Sequence, residues 1–343
     1  MRILGKALTL FMAAAVAVPF LSLTAPMAVK AENVYKPEDF GAVVNDRKDD
    51  RQAIKDAADA AGKAGGGTVE FSSGQYDIDI LDFGGTGIGV YVDQPNVTFK
   101  LTGSTVLNVL PTSHGEFCAI HVKGNNFKIF GGKIVGDKSD HKGSADADGH
   151  GIGVIDCSNV EIHDMTIENN WGDGIYLGSA TDDGSNPGCS HVTITNCNVK
   201  NNRRNNIAIV DADHVVIDDC KISGASGASP CCGILIEPNT DEGNIPKKAV
   251  CSSIQIKNTT IKARKKHQKN GKYFALNILN PYYQKNNKVA AKNVKITNCK
   301  ITGDCGNYSG KKVIIKNTKI KGTFYDHKKT NVKKCTIKNH YRF

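Results

Sequence analysis

A right-handed parallel β-helix is the fold this sequence predicts, and three observations carry it. A short phrase returns from residue 97 to the C-terminus, its leading apolar residues spaced 19 to 40 apart. Within each unit the apolar residues alternate, which is the period of a strand and not of a helix. Like residues also recur at fixed offsets, and neighbouring strands stack such residues about 4.8 Å apart. A period that stretches by insertion marks a solenoid whose coils tolerate loops of variable length.

The phrase reads Asn159-Val160-Glu161-Ile162, then Asp164-Met165-Thr166-Ile167. It returns at His191-Val192 with Asn196-Cys197, and at His214-Val215 with Asp219-Cys220. Further copies stand at Ile254 with Asn258-Thr259, at Val294 with Asn298-Cys299, and at Val313 with Asn317-Thr318. Three residues before the leading apolar position comes a small residue: Cys157, Cys189, Ala212, Cys251 or Ala291. Five after it comes Met165, Cys197, Cys220, Thr259, Cys299 or Thr318. These are interior columns, and the Asn/Asp column beside the second can hydrogen-bond along the axis as a ladder.

Residues 1 to 31 read as an export leader: Arg2 and Lys6, an apolar run from Leu8 to Leu23, then Val29-Lys30-Ala31. The mature chain is expected to be secreted, monomeric and without a transmembrane segment. Residues 32 to 343 are expected to form one β-helix domain, with 32 to 76 as N-terminal cap and first coil. Eleven cysteines in an exported chain suggest disulfides. Their interchange with Ala, Met and Thr instead predicts buried, mostly unpaired fillers, with Cys231-Cys232 a pair that can oxidise.

Charge is split along the axis. Residues 251 to 343 hold 23 Lys/Arg against Asp304 and Asp326, a net of +21, whereas 32 to 250 hold 18 bases against 32 acids, a net of −14. Lysines on exposed and edge strands keep a sheet soluble. They also make a docking face for acidic polysaccharide or an anionic cell wall. Nucleic acid is excluded as a partner, because the chain is exported and its lysines are not interleaved with stacking aromatics.

The N-terminal segment predicts a strand, a capped helix and a glycine turn. Asp49 or Asp50 is the N-cap, Ala53, Ile54, Ala57, Ala58 and Ala61 are the buried stripe, and Gly65-Gly66-Gly67 turn into the first coil. A solenoid needs a lid over its open apolar end. The same residues, Asp39-Phe40-Gly41-Ala42, Asp49-Asp50 with Ala53-Ile54, Gly65-Gly66-Gly67-Thr68-Val69 and Gly74-Gln75-Tyr76, resemble the opening of the pectin-lyase-like superfamily. The resemblance is to its subgroup of rhamnogalacturonase- and epimerase-like pectate lyase domains. It implies a β-helix and activity on polysaccharides, and Ser72-Ser73-Gly74 departs from the family's proline there.

Four strands align on a small residue followed by aliphatics: Gly151-Ile152, Gly174-Ile175, Asn206-Ile207 and Gly233-Ile234. Their outward residues are Gly153, Tyr176, Ala208 and Leu235, a strip that makes a shallow groove. At its head lie Asp148, His150, Trp171, Asp173, Arg203 and Arg204, with His150, Asp173 and Asn205 in one column. Glycines flank His150 and Asp173, as tight turns or as bare backbone around a polar side chain. The catalytic candidates are His150, Asp173, Tyr176, Arg203, Arg204 and Asp148. The substrate contacts are Trp171, Glu237, Asn205, His121 and Lys123. Removing the charged ones is expected to spare the fold, since they touch neither interior column.

Asp148-Gly149-His150-Gly151 resembles half of the Asp-Pro-His-Glu motif of alginate C5-epimerases, and Arg204-Asn205-Asn206-Ile207 their Arg-His-Gly-Phe. Ala145 stands where their tyrosine would be. Polygalacturonase-like hydrolases carry a Gly-His-Gly, here Gly149-His150-Gly151, but their Arg-Ile-Lys is missing. Two coils and five strand positions put Asp173 and Glu237 roughly 19 Å apart, beyond the roughly 5 to 9.5 Å of glycosidase pairs.

The function expected is C5 proton abstraction from a uronic acid within an acidic polysaccharide, as in a lyase. Arg203 and Arg204 would neutralise the sugar carboxylate, and Tyr176 or His150 would act as base or acid. Hydrolysis, C5-epimerisation and non-catalytic wall binding are the alternatives. No cofactor is required, though Asp148, Asp182, Asp183, Asp211 and Asp213 are candidates to hold Ca²⁺. The +21 segment predicts salt-sensitive retention on a polyuronate column; retention equal at low and high ionic strength would reduce the lysines to a solvated face.

Overall fold

The chain forms a parallel β-helix, right-handed like its structural relatives. The computed structural model describes residues 33 to 144, 148 to 181, 186 to 238, 251 to 264, 273 to 280, 289 to 327 and 329 to 343. The leader expected at 1 to 31, Ala145, Asp182 and Asp183 lie outside the described residues.

Each central coil has three strands. One coil comprises Cys189–Thr195, Asn198–Lys200 and Ile207–Ile209, and the next Ala212–Asp218, Lys221–Ser223 and Ile234–Ile236. They pair in parallel with like on like: Val192 on Val215, Val199 on Ile222, Ile207 on Ile234. Among the described residues one antiparallel pairing occurs, the hairpin of Leu81–Phe83 with Thr86–Val92. The interior is a continuous stack of Ile, Val, Leu and small residues running from Ala42 to Phe324.

The polar phrase residues have a backbone reason to be there. Asp164, Asn196, Asp219, Asn258, Asn298 and Asn317 all adopt φ between 50° and 58°. So do most residues just before the leading apolar position, including Asn126, Asn159, His191, His214 and Asn293, with φ between 54° and 60°. These bends pass through the left-handed region, where Asn and Asp are the cheapest residues with a side chain. The expected amide ladders form on these bends: Asn126 Nδ2 donates to Asn96 Oδ1 at 2.7 Å and Asn159 Nδ2 to Asn126 Oδ1 at 3.0 Å. Asn298 and Asn317 continue the second ladder from Asn258, each at 3.3 Å.

Both interior columns are as expected. Cys157, Cys189, Cys197, Cys220, Cys251 and Cys299 are buried, and all eleven cysteines are free thiols, Cys231 and Cys232 included. Where threonine replaces cysteine its hydroxyl takes up a backbone donor: Thr259 Oγ1 accepts from Cys220 N at 3.3 Å. Burial pushes the thiols of Cys157 and Cys251 up to about 12, which makes them poor nucleophiles.

The helix Arg51–Lys63 buries Ala53, Ile54, Ala57, Ala58 and Ala61, the stripe read from the sequence. Asp50 stands at the N-cap position but does not cap. Its carboxylate accepts instead from Val43 N at 2.9 Å and Asp77 N at 3.0 Å, tying the helix start to the first coil. One reading is corrected at the other end. The C-terminal coils do interleave aromatics with lysines: Tyr308 stacks on Tyr325 at 6.4 Å, and Tyr325 on Tyr341 at 6.2 Å. These rings are spent on one another as neighbours on successive coils.

No helix among the described residues is long and apolar enough to cross a membrane. The bend geometry makes a stability prediction. Asn258→Ala should cost about 1 kcal/mol for its left-handed φ, and Asn258→Gly should recover most of that loss. Equal losses by chemical denaturation would assign the choice of asparagine to the ladder amide and not to the backbone.

Candidate functional site

The strands that carry the site are Glu116–Val122, Asp148–Ile155, Ile175–Gly178, Ile207–Ile209 and Ile234–Ile236, stacked in that order. Their register puts His121, Gly153, Tyr176, Ala208 and Leu235 in one outward column. The glycines at the strand heads are packing glycines. A Cβ on Gly149 would lie 2.1 Å from the Phe117 ring, and one on Gly172 2.7 Å from Gly149 N. Neither has a positive φ, so close approach and not turning fixes them.

Asp173 is the node. It is fully buried, and its Oδ1 accepts from Asn205 N at 2.7 Å and Asn205 Nδ2 at 2.9 Å. Its Oδ2 meets Arg204 NH1 at 3.3 Å, and the same guanidinium nitrogen lies 3.4 Å from Asp148 Oδ2. Asn205 Oδ1 accepts in turn from Cys232 N at 2.9 Å. The expected column therefore exists, but as a hydrogen-bonded chain through three coils. The expectation that its removal spares the fold is corrected: an ionised buried carboxylate needs these donors. Asp173, followed by burial opposing it and then Asp148, holds Arg204 firmly protonated.

His150 receives the N–H of Asp173 on Nδ1 at 3.2 Å. A backbone N–H can only donate, so the neutral ring carries its proton on Nε2. Burial lowers the His150 pKa, against the pull of Asp173 and Asp148. The ring lies flat on Tyr176, with centroids 4.6 Å apart and planes 13° apart. His121 is driven down to about 4 by burial and by Lys123, and so is neutral as well.

These groups open into one cavity of about 580 Å³. Asp148, His150, Tyr176, Arg204, Glu237 and His121 line it, with Phe117, Ala208, Val210 and Leu235 as apolar wall. Glu116 also lines it, directly opposite Asp148 in the register, and sequence reasoning missed it. Aligning Glu116-Phe117-Cys118-Ala119-Ile120 with Asp148-Gly149-His150-Gly151-Ile152 would have found it. Glu237 was misplaced by the strand count. Its strand ends at Ile236, and its carboxyl is close enough to feel both Arg204 and Asp173. Burial raises its pKa, partly offset by Arg204.

Five expected site residues lie outside the lining: Asp173, already described, with Arg203, Trp171, Asn205 and Lys123. Arg203 turns away from Arg204: its guanidinium covers the Trp171 ring at 3.9 Å, and its NH1 donates to Trp171 O at 3.3 Å. Asn205 is buried beneath Asp173, and Lys123 is exposed just past its strand. Of the calcium candidates, Asp148, Asp211 and Asp213 lie among the described residues. Asp148 is engaged by Arg204, Asp213 by His214 and Ser252, and Asp211 is buried with its carboxyl raised to about 6. Among the described residues no three His, Cys, Asp or Glu side chains are placed to hold a metal ion.

No family model matches the chain. Over 226 residues it is 31% identical to YclG of Bacillus subtilis (strain 168), covering 60% of this chain and 38% of that protein. Over 145 residues it is 29% identical to alginate lyase 7 of Azotobacter vinelandii, covering 39% of this chain and 16% of that one. The chain thus spans about a third or less of the length of these relatives. The fold matches the A-module of the Azotobacter vinelandii mannuronan C-5 epimerase AlgE4, with a TM-score of 0.54 at 13% identity over 91% of this chain and all of that one. It also matches a tailspike protein of E. coli bacteriophage HK620, with a TM-score of 0.63 at 13% identity over 90% of this chain and 57% of that one.

The buried node makes a prediction. Arg204→Ala should destabilise the protein by about 3 kcal/mol by stranding the Asp173 charge, and adding Asp173→Asn should recover part of the loss. An Arg204→Ala variant that melts with the wild type would show that Asp173 does not depend on this cation.

Proposed function

We propose that this chain is an exported enzyme that acts on a uronic-acid-containing polysaccharide by taking the proton from C5. One observation carries the reading: a single cavity brings together a neutral histidine with an outward N–H, a phenol stacked on it, and one firmly charged guanidinium. C5 abstraction needs these three functions, namely a base, a donor for the leaving oxygen and a neutraliser of the sugar carboxylate. Tyr176 enters as the phenolate beside Arg204, takes the C5 proton, and hands it to the glycosidic oxygen as the C4–O bond breaks and the C4–C5 double bond forms. His150 Nε2–H hydrogen-bonds that leaving oxygen, and Arg204 faces the sugar carboxylate. Glu237, whose pKa burial raises, lines the same cavity and is placed to contact that carboxylate as well. Arg203 has no part in this, since it faces Trp171.

The names of two relatives, alginate lyase and mannuronan C5-epimerase, make alginate the first polymer to try. Elimination and epimerisation share the abstraction and differ in whether the glycosidic bond breaks afterwards. Hydrolysis is the second reading. The observation that favours it is the raised Glu237 carboxyl in one cavity with two further carboxyls, Asp148 and Glu116.

The experiment incubates purified protein with alginate, pectate and rhamnogalacturonan in D₂O. Ultraviolet absorbance from an unsaturated end group, or solvent deuterium at C5, is the expected result. Tyr176→Phe should lose about 10²-fold or more of that rate. New reducing ends with neither signal would establish hydrolysis, and binding without turnover would leave a carbohydrate-binding solenoid.

A further inference from the structure

Directly behind the cavity, four flat groups from four segments lie one on another. The Phe117 ring faces His141 with centroids 6.3 Å apart and planes 16° apart, and His141 faces Trp171 at 4.0 Å and 16°. Arg203 closes the far side, its guanidinium carbon 3.9 Å from the Trp171 ring centre. Phe117 itself lines the cavity beside Glu116, Arg203 precedes the lining residue Arg204, and Trp171 stands two residues before Asp173, which holds Arg204. The fourth sits on the connection that leads to Asp148.

His141 is fixed by its own side chain. Nδ1 meets Asp137 Oδ2 at 2.7 Å with both side chains fully buried, and the same carboxylate oxygen accepts from Thr112 N at 3.3 Å. Lys142 N donates to Thr112 O at 2.8 Å, which ties the connection down beside it. His141 Nε2 has no hydrogen-bond partner among the described residues. Packing between two aromatic faces is therefore what the ring contributes besides its one bond. Stacked aromatic pairs attract beyond what their buried area supplies, and a cation over the tryptophan face adds to that attraction.

We propose that Phe117, His141, Trp171 and Arg203 form a positioning spine for the site, with His141 as its removable centre. The heads of three coils must agree to within a fraction of an ångström for Arg204 to meet Asp148 and Asp173 together. Glu116 and Asp148 sit on paired strands, whereas Trp171 to Asp173 and Arg203 to Arg204 lie outside the strands, joined across the coils by single backbone bonds such as Arg204 N to Gly172 O at 3.0 Å. The spine clamps these segments from behind. The catalytic consequence rests on the reading given above, whereas the structural consequence does not.

Two measurements separate them. Hydrogen exchange of His141→Ala should rise about tenfold or more at residues 148 to 152, 171 to 176 and 203 to 207, with 289 to 327 unchanged. His141→Phe, which keeps a ring in the stack and loses only the Asp137 bond, should return these segments to within about threefold of wild type. Trp171 is the sole tryptophan of the chain, so its emission reports this stack alone. Acrylamide should quench it more in the alanine variant and as in wild type in the phenylalanine variant. On whichever polymer the wild type turns over, His141→Ala should lose about 10-fold or more in kcat with KM within about threefold, and His141→Phe should regain it.

Wild-type exchange and quenching in His141→Ala would overturn the spine. If the alanine variant does not fold, His141→Phe decides: local exchange and quenching like wild type support the stack, and a rise at the three site segments overturns it. Absence of turnover on every uronate polymer would sink the functional reading and leave the exchange result standing on its own.

Discussion

Every coil must close on itself and land one rung above its start, and that closure governs the rest of the molecule. Strands about 4.8 Å apart leave no room for a change of register. The bends must then come from backbone torsion, and left-handed residues at the corners of each coil provide it. Asn, Asp, His and Gly fill most of these positions, with Ser253 and Lys312 as exceptions, because other side chains cost more there. The interior next to the bends is narrow, so it takes Cys, Ala, Met or Thr. Once register is fixed, a polar residue at a strand head has its neighbours one coil below and one above. Asp173 lies between His150 and Asn205 for that reason, and Arg204 reaches it from the next coil.

What could be read from the sequence follows this division between strand and bend. Side-chain direction in a strand has a period of two, so the column of Gly153, Tyr176, Ala208 and Leu235 and the partnership of His150 with Asp173 were legible. At the heads the chain leaves that period. Arg203 and Arg204 are adjacent and point to opposite sides, and no pattern of residues says which of them enters the cavity. Glu237 was placed by extending a strand that in fact ends at Ile236. Glu116 sits on a coil whose head lacks the Gly-x-Gly of its neighbours, so no motif drew attention to it. Asp50 has the residue type and position of a cap, yet tertiary contacts claim its carboxylate. Burial of Asp173 was invisible because sequence spacing gives the neighbours of a head residue and not its depth.

Depth is what sets the chemistry. Four acids, Glu116, Asp148, Asp173 and Glu237, surround the cavity or its floor against one guanidinium. Arg204 is thereby kept charged but not free: two carboxylates already share it. A sugar carboxylate entering the site must compete with Asp148 for that cation. Burial raises the Glu237 pKa and so weakens its hold on charge, while Arg204 partly offsets that shift. Neutral histidines serve the same end. His121 and His150 present imidazole and not imidazolium, so they can donate or accept without adding to a charge pair.

The charge asymmetry along the axis then has a physical use. An acidic cavity alone would repel a polyanion, while the +21 segment from residue 251 onward attracts one. At physiological ionic strength charges act over about 8 Å, less than two rungs of the solenoid. The Lys-rich segment begins within that range, since Leu276 pairs directly with Ile234 on the last strand that lines the cavity. Its nearer lysines therefore act on the rim of the cavity and its farther ones only on the solenoid surface, because the coils stack on one axis.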